Sequence, residues 1–399
     1  MGKVLWFNIP AYGHINPTLP VAAELRRRGH EVTYYCTDDT RASIERSGAR
    51  FAGYPAGAPT MREIADGTKR LVHPGAGLLS ASRELAPFAE AEIQREAPDL
   101  VVFDQMAVWA GIASRRTGTP AAATFPMLVL GGSPLQLGFR NTARWVLTGR
   151  LSHRAIERQR ARLSEILGAD AVRHPLFPLV ADTNIVFVSP ELHPASSVVD
   201  GRFALVGPSL DERTREAVDW TAPPGNGPLV YVSLGTFNKA SLRFYREVFA
   251  AFRDHPGRFV LYAGADLDLS PLAPFPANFV VSSDVPQLRI LEESDAFVTH
   301  GGMGSVQEGL YHGVPQIIVP QQLEQLINGR RVAELGAGVV LGDQPPYGRV
   351  KAAALRRALD QVLADDAFRR RAKHLGADAR AAGGYARAAD ELERMLPTA

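Results

Sequence analysis

Residues 297–325, FVTHGGMGSVQEGLYHGVPQIIVPQQLEQ, combine a histidine with small residues where an apolar run changes into a helical pattern. The start of an α-helix presents unpaired N–H groups and about half a positive charge, which suits a phosphate. Gly302 lets a phosphate approach the backbone, Ser305 can add a hydroxyl donor, and His300 can donate to a second phosphate oxygen. The segment therefore predicts an anion site.

The same predicted helix contains Gly304 in its first turn and Glu308 one turn farther along, as an acceptor for sugar hydroxyls. The alternative is an ordinary strand-to-helix turn in which Glu308 interacts with the helix dipole. The glycine spacing is not the dinucleotide pattern G-x-G-x-x-G, so this segment alone leaves both interpretations open. A second turn with small and hydroxyl-bearing residues, VSLGT (232–236), favours the interpretation as a phosphate site.

Short apolar runs alternate with helical patterns on either side of a segment rich in Pro, Gly and charge, 207–228, which predicts two parallel, doubly wound sheets. The predicted strands are 3–9, 31–36, 99–104, 120–125, 229–234, 258–264, 278–283, 295–300, 315–320 and 337–341. We therefore predict an α/β protein with two tandem Rossmann-like domains, 1–207 and 229–399, joined by a linker over 208–228. A basic helix is predicted at 151–168, and the tail 350–396 is helical by composition, with its last helix a candidate for packing back on the N-terminal domain.

The chemically capable residues follow predicted strands, where open α/β sheets bind ligands. They are His14 and Asn16 after the first strand, Asp104 at the end of strand 99–104, Ser233, Gly235 and Thr236 after strand 229–234, and Gln321 to Gln325 after strand 315–320.

Composition narrows the classes of protein. The chain has 399 residues, 46% of them hydrophobic, and a net charge of only +2, which argues against a nucleic-acid binder. Its single cysteine, Cys36, can form neither an internal disulfide nor a cysteine-based metal site, and it fits a reducing cytoplasm. No signal peptide is predicted, and no apolar run approaches about 18 residues, so we expect no membrane anchor.

The segment VPQLRIL…FVTHGGMGSVQEGLYHGVPQIIVPQQLEQ (285–325) resembles the nucleotide-sugar signature of family 1 glycosyltransferases, which include plant secondary-product enzymes and bacterial macrolide and flavonoid glycosyltransferases. GHINPTLPVAAELRRRGHEVTY (13–34) and PDLVVFD (98–104) are similar to two further segments of that family, so the resemblance spans the chain. It implies the GT-B fold, two Rossmann-like domains with a cleft between them, with the acceptor on the N-terminal domain and the nucleotide sugar on the C-terminal one.

The resemblance makes His14 the catalytic base and Asp104 its partner. General chemistry agrees, because an acceptor hydroxyl must lose its proton as it attacks the anomeric carbon, and a neutral imidazole titrates in the right range. A carboxylate behind the ring would fix its tautomer. Spacing alone leaves open that both residues cap helices, at 16–28 and 106–117.

The resemblance also implies the donor ligands. They are Ser233, Thr236, His300, Gly302, Gly304 and Ser305 at the pyrophosphate, Glu308 at the ribose, Val285 and Gln287 near the base or ribose, and Glu324 and Gln325 at the hexose hydroxyls. Asn328 is a weaker candidate for a phosphate ligand. The alternative is that it is an exposed polar residue on a helix. Many relatives stack a Trp on the base where this chain has Asp284, and a carboxylate cannot provide that stacking surface. Asp284 therefore leaves the base open, with UDP as the default and dTDP as the alternative.

We expect no metal and no permanently bound cofactor. Asp266-Leu267-Asp268 mimics the Asp-x-Asp motif of metal-dependent glycosyltransferases, but it lies in a predicted loop beside further apolar residues. The helix dipole and His300 already serve the leaving diphosphate in this interpretation. We therefore interpret the Asp-x-Asp match as coincidence.

The acceptor pocket is predicted from segments 55–90 and 125–150. Side chains that can line an apolar cavity there are Phe88, Phe125, Met127, Leu130, Phe139 and Trp145, although each alone is more typical of a core. Such a cavity favours phenols, flavonoids, polyketides or terpenoid alcohols over sugars.

Together these features predict an inverting, metal-independent glycosyltransferase that moves a hexose, by default glucose, from a UDP-sugar to a hydroxyl and gives a β-glycoside. The alternatives are a dTDP-sugar-dependent antibiotic glycosyltransferase, a nucleotide-sugar epimerase or hydrolase, and a non-catalytic nucleotide-binding protein. An NAD-dependent dehydrogenase is disfavoured, because neither NIPAYGHINP nor SLGTFNKASL contains the required glycine triplet.

Overall fold

The chain forms two compact units, each built on one parallel sheet. The computed structural model describes residues 1–58, 74–129, 157–158, 161–162, 164–165, 181–211, 213, 218–235, 242–264, 267–344 and 348–397. Unit 1 consists of Met1–Val188, Ala195–Arg215 and Ala382–Ala399, and unit 2 of Ser189–Pro194 and Glu216–Ala381. The predicted α/β class with two tandem parallel-sheet halves is confirmed.

Unit 1 contains a seven-stranded sheet in the order β3-β2-β1-β4-β5-β6-β7. Its strands are β1 (Lys3–Phe7), β2 (Glu31–Cys36), β3 (Arg50–Gly53), β4 (Leu100–Asp104), β5 (Ala121–Phe125), β6 (Thr183–Val186) and β7 (Phe203–Leu205). Its helices within the described residues are α1 (Tyr12–Ile15), α2 (Leu19–Arg27), α3 (Arg41–Arg46), α4 (Pro74–Glu96), α5 (Val108–Thr117) and α12 (Gly384–Glu393). The apolar runs of the sequence become buried strands because helices cover both faces of a parallel sheet.

Unit 2 contains a six-stranded sheet in the order β10-β9-β8-β11-β12-β13. Its strands are β8 (Leu229–Ser233), β9 (Arg258–Tyr262), β10 (Phe279–Ser282), β11 (Ala296–Thr299), β12 (Gln316–Ile318) and β13 (Gly338–Val340). Its helices are α6 (Leu242–Phe252), α7 (Gln287–Glu293), α8 (Met303–Tyr311), α9 (Leu323–Glu334), α10 (Ala352–Ala364) and α11 (Asp366–Ala381). Among the residues that the structure describes, none of the helices is both long and apolar enough to span a bilayer.

The strand order fixes which loops meet. In unit 1, β1 pairs with β4 in a register that sets Phe7 opposite Phe103. In unit 2, β11 lies between β8 and β12, and Ser233 is opposite Thr299. Because parallel strands end at a common edge, the loops after β1 and β4 are neighbours, as are those after β8, β11 and β12.

Some elements differ from the predicted ones. β3, β6 and β7, which have three or four residues each, were not predicted. α4 crosses part of segment 55–90, from which the acceptor pocket is predicted, and contains Pro87 inside the helix. The basic helix predicted at 151–168 lies largely outside the described residues.

The C-terminal helix α12 is held on unit 1 by apolar and ionic contacts. Ala388, Ala389 and Leu392 belong to the core of that unit. Arg28, just after α2, donates to Asp390 at 2.7 Å, to Glu393 at 2.5 Å and to Glu24 at 2.8 Å. The guanidinium therefore joins two helices that are far apart in sequence.

Replacing Arg28 with methionine is expected to lower the free energy of unfolding by about 1–3 kcal/mol, because a side chain only 19% exposed loses three carboxylate partners. The matched control is Arg27→Met, which removes the same charge from a side chain that is 66% exposed and paired with Glu24. Its expected cost is clearly smaller, because solvent screens an ion pair at an exposed side chain. Urea unfolding followed by far-UV circular dichroism measures both, and equal losses would show that Arg28 does not hold α12.

Candidate active site

Unit 1 brings His14 and Asp104 together at the carboxyl edge of its sheet. His14 lies in α1, which follows β1, and Asp104 is the last residue of β4. Their Nδ1 and Oδ2 atoms are 2.8 Å apart, with the His14 side chain 14% exposed and Asp104 fully buried. An ionised carboxylate only accepts hydrogen bonds, so Nδ1 carries the proton and Nε2 presents a lone pair. This arrangement can remove a proton from a bound hydroxyl.

The helix-capping alternative is wrong for both residues. The N-cap of α2 is Thr18 and that of α5 is Ala107, and neither helix has a side-chain cap. The second oxygen of Asp104 accepts the Met106 N–H at 2.8 Å, which fixes the carboxylate in place.

A buried polar cluster supports the backbone of His14. Asn8 Nδ2 donates to the His14 carbonyl at 3.2 Å and to the Tyr34 hydroxyl at 2.7 Å, and Thr18 Oγ1 lies 2.6 Å from the same hydroxyl. Burial raises the pKa of Tyr34 well above that of an ordinary phenol. This cluster was not predicted from the sequence, although Asn8 stands out as an amide directly after an apolar strand.

In unit 2 a tight glycine loop leads from β11 into α8. Gly301 has a φ of +85°, and a Cβ there would lie 2.8 Å from Ile318 Cγ2 and 2.9 Å from the Gln325 carbonyl. Gly302 is the N-cap residue, and its carbonyl accepts the Val306 N–H at 2.9 Å. Gly304 is exposed, with open space beside its Cα. The N-terminus of α8 is therefore accessible to an anion.

The His300 ring lies against two glycines. A Cβ on Gly235 would be 2.7 Å from Cε1 of the ring, and one on Gly302 would be 2.4 Å from Nε2. Nδ1 is buried and has no hydrogen-bond partner among the described residues. We therefore assign the ring hydrogen to Nε2, because an unpaired buried N–H group is costly. Burial lowers the pKa of His300 to about 4, so the neutral ring acts as a single N–H donor.

The Cε1–H resonance of His300 is expected to stay constant between about pH 8 and pH 5.5 and to shift only as the pH approaches 4. The pKa lies below the ordinary value of 6.5, so the unfolded chain binds this proton first and acidification destabilises the fold between the two values. Histidine-selective NMR, with the resonance assigned by His300→Gln, measures the titration. A midpoint near 6.5 would contradict the neutral ring.

Glu308 and Gln287 are in direct contact. Glu308, on α8, is 6% exposed, and Gln287 begins α7. The Gln287 amide nitrogen donates to Glu308 Oε2, and its oxygen accepts the Tyr231 hydroxyl at 3.0 Å. Val285, two residues before Gln287, is partly buried against the cluster that contains Tyr231.

The first turns of α9 contact the glycine loop. Asn328, which is 2% exposed, donates through Nδ2 to the Gly301 carbonyl at 3.0 Å and to Glu324 Oε1 at 2.5 Å. The alternative, that Asn328 is an exposed polar residue on a helix, is therefore wrong. Gln325 Oε1 accepts the Gln321 N–H at 2.8 Å, so its NH₂ group is the part that can donate to a ligand.

Sequence comparison identifies relatives over the whole chain. The family described as "Erythromycin biosynthesis protein CIII-like, C-terminal domain" matches residues 260–395. The NDP-glycosyltransferase YjiC of Bacillus licheniformis is 33% identical over 98% of this chain and 97% of its own length. The oleandomycin glycosyltransferase of Streptomyces antibioticus is 32% identical over 99% of this chain and 91% of its own.

The chain belongs to the NDP-sugar glycosyltransferase family. A solved structure, the glycotransferase of kitacinnamycin, superposes with a TM-score of 0.84 at 30% identity and covers 99% of both chains. The GT-B fold implied by the resemblance is confirmed.

The remaining candidates of this glycosyltransferase differ in their surroundings. Ser233 is 1% exposed, and its Oγ accepts the Gly235 N–H at 3.3 Å, whereas Ser305 is partly exposed. Asp284 is exposed, and its carbonyl accepts the Ser282 hydroxyl at 2.6 Å. Thr236 lies outside the described residues.

The acceptor candidates of this glycosyltransferase are only partly described. Phe88 lies edge-on to Tyr35 and Tyr54, with centroids 6.1 and 6.3 Å apart. Phe125 is fully buried in β5, and Met127 is partly exposed just after it. Leu130, Phe139 and Trp145 lie outside the described residues.

Within the described parts of this glycosyltransferase, no three His, Cys, Asp or Glu side chains are grouped so that they can hold a metal ion. Asp268 accepts the N–H and hydroxyl of Ser270 at 2.8 and 2.9 Å, an ordinary turn contact. Asp266 is outside the described residues.

Proposed function

We propose that this glycosyltransferase moves a hexose, glucose in the first instance, from a UDP-sugar to a hydroxyl of an apolar natural product, with inversion at the anomeric carbon. The observation that carries the proposal is the 2.8 Å contact between His14 Nδ1 and the buried Asp104 carboxylate. It leaves His14 Nε2 as a base, which acceptor deprotonation requires.

In the proposed reaction His14 Nε2 takes the proton of the acceptor hydroxyl as the oxygen attacks the anomeric carbon. The new C–O bond forms while the bond to the diphosphate breaks on the opposite face, so an α-linked donor gives a β-glycoside. The Asp104 carboxylate stabilises the imidazolium that forms. The proton moves to His14, and the electron pair of the broken bond leaves with the diphosphate. The step requires neither a metal nor a redox cofactor.

Unit 2 supplies the donor site in this proposal. The N-terminus of α8 and the Nε2–H group of His300 receive the diphosphate and stabilise the charge that develops on it. Gly302, Gly304 and Ser305 provide the accessible helix start. The buried Ser233 accepts the N–H of Gly235, which lies against the His300 ring. Glu324 and Gln325, at the start of α9, receive the hexose hydroxyls.

The proposal also specifies the class of acceptor and the nucleobase of the donor. The relative in Streptomyces antibioticus, whose name refers to oleandomycin, supports a complex natural product as the acceptor. The name NDP-glycosyltransferase, which the Bacillus licheniformis relative carries, is compatible with UDP and with dTDP. We place UDP first because the buried Glu308 carboxylate suits a ribose with two hydroxyls.

A screen of natural products against UDP-glucose and dTDP-glucose, read by mass spectrometry, tests this function. The expected result is a product heavier than its acceptor by one hexose unit, with a β-anomeric proton coupling in the NMR spectrum. A reaction without acceptor measures hydrolysis or epimerisation of the donor. Donor turnover in that control, with no glycoside from any acceptor, would overturn the proposal.

A further inference from the structure

A chain of three side chains runs from the core of unit 2 to the donor site. The Tyr231 hydroxyl donates to Gln287 Oε1 at 3.0 Å, and Gln287 Nε2 donates to Glu308 Oε2. Tyr231 is fully buried, Gln287 is half-buried, and Glu308 is 6% exposed. The chain therefore links a core phenol to the carboxylate that is proposed to bind the ribose.

The chemistry of its two ends allows the Gln287 amide one orientation. An ionised Glu308 only accepts, so it must face the NH₂ group, and the amide oxygen must then face Tyr231. Burial raises the pKa of Tyr231 far above that of an ordinary phenol, so its hydroxyl keeps the proton that it donates. A flipped amide would set its oxygen against the Glu308 carboxylate, so that two acceptors would face each other without a hydrogen between them.

Packing holds Tyr231 itself in place. Its ring stacks on Phe297 of the neighbouring strand, with centroids 5.0 Å apart and planes 12° apart. The two residues are opposite each other in the register of β8 and β11. The hydroxyl is therefore supplied from a rigid part of the sheet.

We propose that Tyr231 is a positioning residue of the donor site: through Gln287 it orients the Glu308 carboxylate toward the ribose hydroxyls and so favours donors whose ribose carries them. This inference rests on the proposed function. A carboxylate has about four lone-pair sites, so Glu308 can accept from ribose hydroxyls in addition to accepting from Gln287. The preferred ligand class is a nucleoside diphosphate with free 2′ and 3′ hydroxyls.

The test measures Kd by isothermal titration calorimetry for UDP and for 2′,3′-dideoxy-UDP. Tyr231→Phe removes only the donating hydroxyl, and Tyr245→Phe, at a phenol buried elsewhere in unit 2, is the matched control. In Tyr231→Phe the Kd for UDP is expected to rise about three- to tenfold, while that for the dideoxy ligand changes less than about twofold. A loss of packing alone would weaken both ligands equally. Tyr245→Phe is expected to keep the wild-type ratio.

A second variant tests the same chain from its middle. Gln287→Ala is expected to shrink the UDP preference at least as much as Tyr231→Phe, and the double variant is expected to lose no more than Gln287→Ala alone. Additive losses, or an unchanged ratio in Tyr231→Phe, would overturn the inference. If Glu308→Ala also left the wild-type preference unchanged, the ribose contact of the proposed function would fail instead.

Discussion

Replacing His14 with alanine is expected to lower kcat for glycoside formation by about 10²–10⁴-fold, the range that a positioned general base contributes. The Kd for UDP is expected to change less than about twofold, because the proposed donor ligands all belong to unit 2. Steady-state kinetics with the best acceptor, together with calorimetric titration of UDP, separates the two effects.

Asp104→Asn is a second variant that tests the same catalytic base through its partner. It keeps the size of the side chain but replaces the carboxylate that accepts from His14 Nδ1, so the imidazole loses its fixed tautomer. We expect kcat to fall in this variant as well, with the UDP affinity retained. A His14→Ala enzyme with a native circular dichroism spectrum and full transfer to a hydroxyl acceptor would rule out His14 as the base.

Replacing Gly302 with alanine is expected to raise the Kd for UDP about ten- to a hundredfold, because the added methyl group would lie 2.4 Å from His300 Nε2. The ring must then move, and the diphosphate loses a hydrogen bond to a charged group, worth about 1.5–3 kcal/mol. Calorimetric titration of UDP measures the loss. Gly201→Ala is the control, because a Cβ at that residue meets nothing within 4 Å.

A double variant shows whether the effect of Gly302→Ala passes through the ring. In a His300→Ala background the methyl group has room, so adding Gly302→Ala is expected to cause little further loss of affinity. Independent, additive losses would mean that Gly302 acts on the ligand directly and that the contact with His300 is irrelevant.

Much of the fold could be predicted from the sequence because parallel strands buried on both faces leave continuous apolar runs. The runs at 99–104 and 295–300 became β4 and β11 with shorter ends. The missed strand β7 contains three half-buried residues, FAL, and its pairing depends on β6 rather than on any local pattern. Whether such a segment forms a strand depends on its pairing with a neighbouring strand, which no local sequence pattern shows.

Some residues of the candidate site could likewise be predicted from the sequence, and others could not. Residues at strand ends, such as Asp104 and His300, could be found because the topology of an open α/β sheet states where ligands bind. Tyr231 could not, since it looks like an ordinary core aromatic residue of an apolar strand and its role depends on a hydrogen bond to Gln287, 56 residues away. Its position two residues before Ser233, on the same face of β8, is the one signal that the sequence offered.

The most direct test of the account is a crystal structure of the protein with bound UDP. We predict the diphosphate at the N-terminus of α8, with an oxygen within hydrogen-bonding distance of His300 Nε2 and the ribose hydroxyls at Glu308. A diphosphate bound elsewhere on unit 2, with no contact to His300 or to the start of α8, would contradict it.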